Sequence, residues 1–196
     1  DLLLGRSESE ISKDSKSKGE KMNNEKQSSS SAFVQYVIKR CSNGKDSGFR
    51  AVMRRADNPN QCSAAWEYLV PFCDLASDHQ RLSFALIGAA IAREKPEHDG
   101  TSGVGEALLK LCNGDKDAKE RAGVRLRRLI ACDTIHELIP VLQRTLQYIQ
   151  SKGGALCYER LLRELLSWNE RTRSWNERTR IEWTKQFYEK DNNGEE

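Results

Sequence analysis

The chain has 196 residues, 37% hydrophobic and 31% charged, which suffices for one sizeable domain or two small ones under a salt-laced surface. Lys and Arg number 32 against 29 Asp and Glu, and the resulting +3 names no partner by itself. There is no apolar run of eighteen residues, and the opening Asp1-Leu-Leu-Leu-Gly5 is too short for a secretory leader. Transmembrane, collagen-like and disulfide-scaffold classes are thereby excluded, and a cytoplasmic setting is the expectation.

Residues 1–31 hold six acids, six bases, nine serines and five apolar side chains, too little apolar surface to offset the entropy of ordering, so they read as a disordered leader of zero net charge. Lys18-Gly-Glu-Lys21 stands directly before Met22 and is what a purine-rich ribosome-binding site would encode. Met22 is therefore a candidate native start, with an ordinary Lys/Glu/Ser tail as the alternative. The other end, 189–196, is acidic at −3, which leaves 32–188 at +6. The body of the chain is basic.

The body reads as helices throughout. Ser31 is placed to cap a helix over Ala32–Cys41, with Phe33, Val34, Val37 and Ile38 on one face and Gly44 ending it. Phe49, Val52 and Met53 mark a second helix, closed by Asn58-Pro59. Ala64–Phe72 reads as a third, with Trp66, Leu69 and Val70 on its apolar side. Leu82–Ala92 is nearly all apolar and should be a buried central helix. Pro96, Gly100 and Gly103 break the pattern, so 93–103 reads as a mobile surface loop. Helices are then expected at Glu106–Leu111 and Lys116–Ala131. Thr134-x-x-Glu137 is a capping box opening Ile135–Ser151, which Pro140 should bend and Gly153-Gly154 stop. Leu156–Tyr188 reads as a last helical segment with Leu161, Leu162, Leu165 and Leu166 at core spacing. The fold class is all-α: a helical bundle with a leader (1–31), an N-terminal half (32–103), a C-terminal bundle (104–190) and an acidic tail (191–196). A loop near 93–103 would join the two halves.

Little of this points to catalysis. The cysteines, Cys41, Cys62, Cys73, Cys112, Cys132 and Cys157, form no CxxC pair and read as small buried hydrophobes. His136-Glu137 begins like a zinc-protease motif, but Pro140 occupies the second histidine's place. His98 lies in a loop, away from His79 and His136 in sequence, and no nucleophile elbow, P-loop or dinucleotide fingerprint occurs. The expectation is a non-enzymatic protein with no cofactor and no metal.

The arginines are more informative. On a helix through residue 125, with Arg121 at zero, Arg125 falls at about +40° and Arg128 at about −20°, while the apolar Leu126, Leu129 and Ile130 fall at about 140°, 80° and 180°, a broadly opposite face, and Arg127 lies to the side. Such a stripe suits a phosphate backbone, with Arg54-Arg55 and Arg144 as further basic spots. The competing explanation is a set of solvated arginines paired with glutamates of neighbouring helices.

Val124-Arg-Leu-Arg-Arg-Leu-Ile-Ala-Cys-Asp133, Ser151-Lys-Gly-Gly154, the run from Leu156 to Trp168 and the closing Trp183-Thr-Lys-Gln-Phe-Tyr188 together resemble the CasB family, the small subunit of the type I-E CRISPR Cascade complex. Arg54-Arg55-Ala-Asp57 and Val70-Pro-Phe72 add to the likeness, which spans roughly 33–188. The resemblance implies a helical, non-enzymatic protein present as two copies in a crRNA-guided antiviral assembly. It would contact the large subunit and the backbone subunits and hold the target and non-target DNA strands of the R-loop. The family's nucleic-acid arginines fall on Arg55, Arg125, Arg144, Arg171 and Arg173. Asp78 and Ala131 stand where the family carries basic residues, so part of the groove would be rebuilt with Arg127 or Arg128.

Ser167–Arg173 and Ser174–Arg180 are both Ser-Trp-Asn-Glu-Arg-Thr-Arg, a tandem repeat outside the family pattern. In a continuous helix the extra copy would put Trp168 and Trp175 on one side and double a basic patch; in a turn it would enlarge a loop. Two rival functions remain at this level. A helical protein-interaction adaptor would bind partners without salt sensitivity, and a ribonuclease would need a catalytic cluster that the sequence offers only as scattered residues.

Overall fold

A computed structural model describes residues 29–43, 46–168 and 173–189. Met22 and the leader up to residue 28, Gly44, the repeat residues 169–172 with Arg171, and the acidic end from 190 lie outside the described residues.

The all-α expectation holds: the described residues form helices joined by turns, with no strand among them. Helix α1 (29–42) buries Phe33, Val34, Val37, Ile38 and Cys41 along one stripe. It is already helical at Ser29, ahead of the expected Ala32, and the Ser29 hydroxyl donates to the Phe72 carbonyl (2.9 Å). Ser31 thus lies inside the helix and is no cap. Helix α2 (Ser47–Met53) buries Phe49 and Met53.

The expected helix over Ala64–Phe72 is shorter and split. A 3₁₀ turn (Cys62–Ala65) runs into a four-residue α3 (Trp66–Leu69), after which the chain turns so that Phe72 meets Phe33 edge-on at 5.3 Å. That turn leaves Trp66 and Val70, both expected on the apolar side, 40% and 57% exposed.

Helix α4 (Asp78–Glu94) is the central element. Ser77 caps it, Lys95 ends it in the left-handed region (φ 57°), and every residue from Ser83 to Ala92 is buried. A helix apolar on all sides has to sit inside the bundle. It packs against α2, α7 (Ile135–Ser151) and α8 (Tyr158–Ser167), each full apolar burial contributing about 1.5–3 kcal/mol. Helix α5 (Val104–Lys110) lies on α9 (Arg173–Tyr188) so closely that a Cβ at Gly105 would run into the Trp183 carbonyl oxygen. Helix α6 (Lys116–Ile130) packs on α5, α7 and α9. Its N-cap is Asp115, and α7 opens on the expected capping box, in which Glu137 N donates to Thr134 Oγ1 at 3.2 Å and Thr134 N to Glu137 Oε2 at 3.4 Å. Pro140 stands inside α7.

The segment read as a mobile connector is pinned. Gly100 N donates to the Leu156 carbonyl (3.0 Å) and Cys157 N to the Ser102 carbonyl (2.9 Å). A Cβ at Gly100 would stand 2.5 Å from the Leu156 oxygen, so only glycine permits this approach. The carboxylate of Asp99 accepts from Tyr158 N (2.7 Å) and Glu159 N (3.0 Å), capping α8 from some sixty residues away. The last segment is two helices, not one: Trp168 is extended (φ −68°, ψ 101°) and separates α8 from α9.

Candidate nucleic-acid interface

The four-residue connection 131–134 turns the chain from α6 back along α7 as a helical hairpin. On α6, Ala122, Gly123, Leu126 and Leu129 face the core, which leaves Arg121 and Arg128 exposed on the opposite side and Arg125 half-buried at the boundary. There the Arg125 guanidinium lies 4.1 Å from the centre of the Tyr148 ring on α7. Arg144 is one turn earlier on the same side of α7 and exposed, and Lys152 follows one turn later, also exposed. The hairpin therefore carries a basic seam with contributions from both helices.

The Arg54-Arg55 turn joins that seam through Asp57. Gln143, the neighbour of Arg144, donates through Nε2 to Asp57 Oδ2 (2.9 Å), and Arg93 of α4 donates to both Asp57 oxygens. Arg93 also donates to the Arg54 carbonyl (3.3 Å). With its carboxylate 3% exposed, Asp57 is a structural peg that fixes the exposed Arg54 and Arg55 beside the middle of α7.

Whether these arginines are internally neutralised is the decisive electrostatic question. Arg40, Arg81, Arg93, Arg160 and Arg180 each hold a carboxylate, those of Asp46, Asp78, Asp57, Glu164 with Glu182, and Asp133. By contrast, Arg54, Arg55, Arg125, Arg127, Arg128 and Arg144 have no carboxylate partner among the described residues, and Arg121 reaches Asp115 only at 4.0 Å. The competing explanation of glutamate-paired surface arginines is thus not met along the seam.

Not every expected residue comes together. Arg127 lies apart from the seam, over Gly123 and near the Tyr188 hydroxyl. Arg171 lies outside the described residues, and Arg173 is the first residue of α9. Arg180, the corresponding arginine of the second repeat copy, is structural: it donates to the Cys132 carbonyl (2.5 Å) and Asp133 Oδ1 (2.9 Å) and lies over Trp168. Asp78, where a base is expected, pairs with Arg81 at the start of α4, and Ala131 closes α6. Asp57, Gln143, Tyr148 and Lys152 were not among the interface residues expected from the sequence. For the last two a signal existed, since Arg144, Tyr148 and Lys152 follow at four-residue spacing.

A family model described as CRISPR-associated protein Cse2 matches residues 49–188, from α2 to the end of α9. The chain belongs to the Cse2 family. The Cse2 match encloses every arginine of the seam and leaves α1 outside. Two solved structures have similar folds. A Cse2-family CRISPR-associated protein from Thermus thermophilus matches with a TM-score of 0.64 and 21% identity, covering 81% of this chain and 97% of that one. CasB from Thermus thermophilus matches with a TM-score of 0.63 and 22% identity over the same shares. Among curated proteins none matches the chain.

Of the histidines of this Cse2 protein, His98 is exposed in the loop before Asp99, and the other two stand beside neighbouring elements. His79 Nε2 sits 2.6 Å from the Leu165 carbonyl, and His136 is 4.0 Å from Asp78. Burial raises the thiols of Cys41, Cys73, Cys112, Cys132 and Cys157. Among the described residues no group of three His, Cys, Asp or Glu could hold a metal ion, and no helix is long and apolar enough to cross a membrane.

Proposed function

We propose that this Cse2-family chain is the non-enzymatic small subunit of a crRNA-guided Cascade assembly, and that the α6–α7 seam holds nucleic-acid backbone without reading sequence. What supports this reading is a set of arginines without a carboxylate partner among the described residues, Arg125, Arg128 and Arg144 on the α6–α7 hairpin and Arg54 and Arg55 beside Asp57, which meets Gln143 of α7. A protein keeps such charges unpaired at a cost in self-repulsion, and a polyphosphate ligand relieves it. Arginine suits the task because its planar fork donates to phosphate oxygens bidentately. Backbone contacts carry no sequence information, which a subunit serving many guides requires. Exchange of a DNA duplex for a guide–target heteroduplex is near thermoneutral, so a few such contacts to the target and non-target strands tip it. The partners would be the large and backbone subunits, both DNA strands, and a second copy of the chain.

The test is binding of single-stranded DNA across a salt series by the wild type and an Arg125→Ala/Arg144→Ala variant. Two lost phosphate contacts should flatten the log–log salt slope by about 1.4. In the assembled complex the same variant should weaken R-loop locking while crRNA assembly persists. An unchanged slope and unchanged target affinity would overturn the reading. A protein-interaction adaptor is the second reading, favoured by the exposed Trp66 and Val70, and it predicts partner binding insensitive to salt with no DNA affinity.

A further inference from the structure

Among the described residues four arginines lie over aromatic rings: Arg40 over Tyr36, Phe49 and Tyr68, Arg81 over Trp66, Arg180 over Trp168, and Arg125 over Tyr148. In the first three the guanidinium edge is already used, on Asp46, Asp78 and Asp133. The Arg125 guanidinium carbon lies 4.1 Å from the centre of the Tyr148 ring, and Arg125 has no carboxylate partner among the described residues. Its stem is half-buried at the α6–α7 boundary, and Tyr148 is itself packed against the core.

This combination has a physical consequence. A guanidinium stacks through its face and donates through its edge, so the ring and an in-plane phosphate do not compete for it. A free arginine gives up much of its rotamer freedom when it binds, whereas one already stacked on a fixed ring has given that up beforehand. From this geometry we infer that Tyr148 is a positioning residue of the interface: it holds the Arg125 guanidinium flat against α7, with the N–H edge presented to a backbone phosphate. The inference rests on the nucleic-acid reading above and adds to it a residue that bears no charge. Arg144, one turn from Tyr148, has no such support in the described residues and contributes as a mobile point charge.

A double-mutant cycle on single-stranded DNA binding tests this, with Arg125→Ala, Tyr148→Leu, Tyr148→Phe and the Arg125→Ala/Tyr148→Leu pair. Tyr148→Leu should weaken binding about three- to fivefold, the order of an exposed cation–π contact. Tyr148→Phe, which keeps the ring, should stay near wild type. The loss from Tyr148→Leu should vanish in the Arg125→Ala background. Tyr148→Met keeps much of the side-chain bulk without the ring and should lose the same several-fold, which keeps the test alive should Tyr148→Leu fold poorly. If Arg125→Ala weakens binding but Tyr148→Leu and Tyr148→Met do not, the positioning role is wrong while the interface stands. An equal Tyr148→Leu loss with and without Arg125 would also refute it, because the ring would then act on its own. If Arg125→Ala changes nothing, the interface itself is misplaced.

Discussion

Asp57 shows what a single carboxylate does in this fold. It anchors the Arg54-Arg55 turn by taking donors from Arg93 and Gln143, and its side chain is almost wholly buried. Asp57→Ala would strand the Arg93 guanidinium, which already has one buried nitrogen without a partner. Breaking a buried pair from one side costs about 3–5 kcal/mol, so the urea midpoint should fall accordingly, and a loss within error of zero would remove Asp57 from this role. A second residue-scale effect concerns pH. Burial pushes the Cys73 thiol up to about 11 from its ordinary 9.0 and raises Cys41, Cys112, Cys132 and Cys157 in the same direction. The unfolded chain therefore gives up these protons at lower pH than the fold does. Stability is complete below about pH 9 and declines as pH rises toward about 11. Urea titrations at pH 8 and 10.5 should show the decline, and Cys73→Ala should make it shallower. The arginines themselves were legible in the sequence, as a 100° wheel separates charged from apolar positions. Their freedom from carboxylates was not, because ion-pair partners such as Asp57 and Arg93 are far apart in sequence.

At the scale of elements, legibility follows how local the determinants are. Helices α6 and α7 end where the sequence places them, within a residue, because Asp115, Thr134 and Glu137 act within one turn. The split before α3 and the break at Trp168 were missed, since each depends on a tertiary contact: Phe72 on Phe33, and Trp168 on Asp133. The connector 95–103 makes the same point, as proline and glycine correctly announce a loop but cannot announce its anchor. Asp99 supplies the cap that Cys157 at the head of α8 lacks. Asp99→Ala should cost about 1–2 kcal/mol, with faster amide exchange concentrated at Tyr158 and Glu159. Asp99→Asn, which keeps an acceptor, should lose less. Uniform exchange across α8 in Asp99→Ala would show that the packing of α8, rather than its cap, sets its local stability.

Across the whole molecule, the tandem repeat meets the junction that closes the bundle. Trp168, from the first copy, is 1% exposed, stacks with Trp183 at 5.9 Å and donates through Nε1 to the Asp133 carbonyl (3.3 Å). Asn176, from the second copy, donates to that same carbonyl at 3.4 Å, and Arg180 holds the Asp133 carboxylate. Different positions of the two copies thus serve one anchor at the α6–α7 turn: among the described residues Trp168 is extended and Arg173–Tyr188 is helical. Residues 169–175 amount to one repeat length and leave out all three anchoring side chains. Deleting them keeps Trp168, Asn176, Arg180 and Trp183 in the chain while removing the first three residues of α9 together with 169–172, and a shorter link is entropically easier to close. The deletion variant should fold with a urea midpoint near that of the full chain. Trp168→Ala, which removes a buried indole from the stack, should lose about 3–5 kcal/mol. Helical circular dichroism and urea denaturation of the two variants side by side decide the matter. A deletion variant as unstable as Trp168→Ala would mean that the span between Trp168 and α9, and not only its anchored ends, is built into the fold.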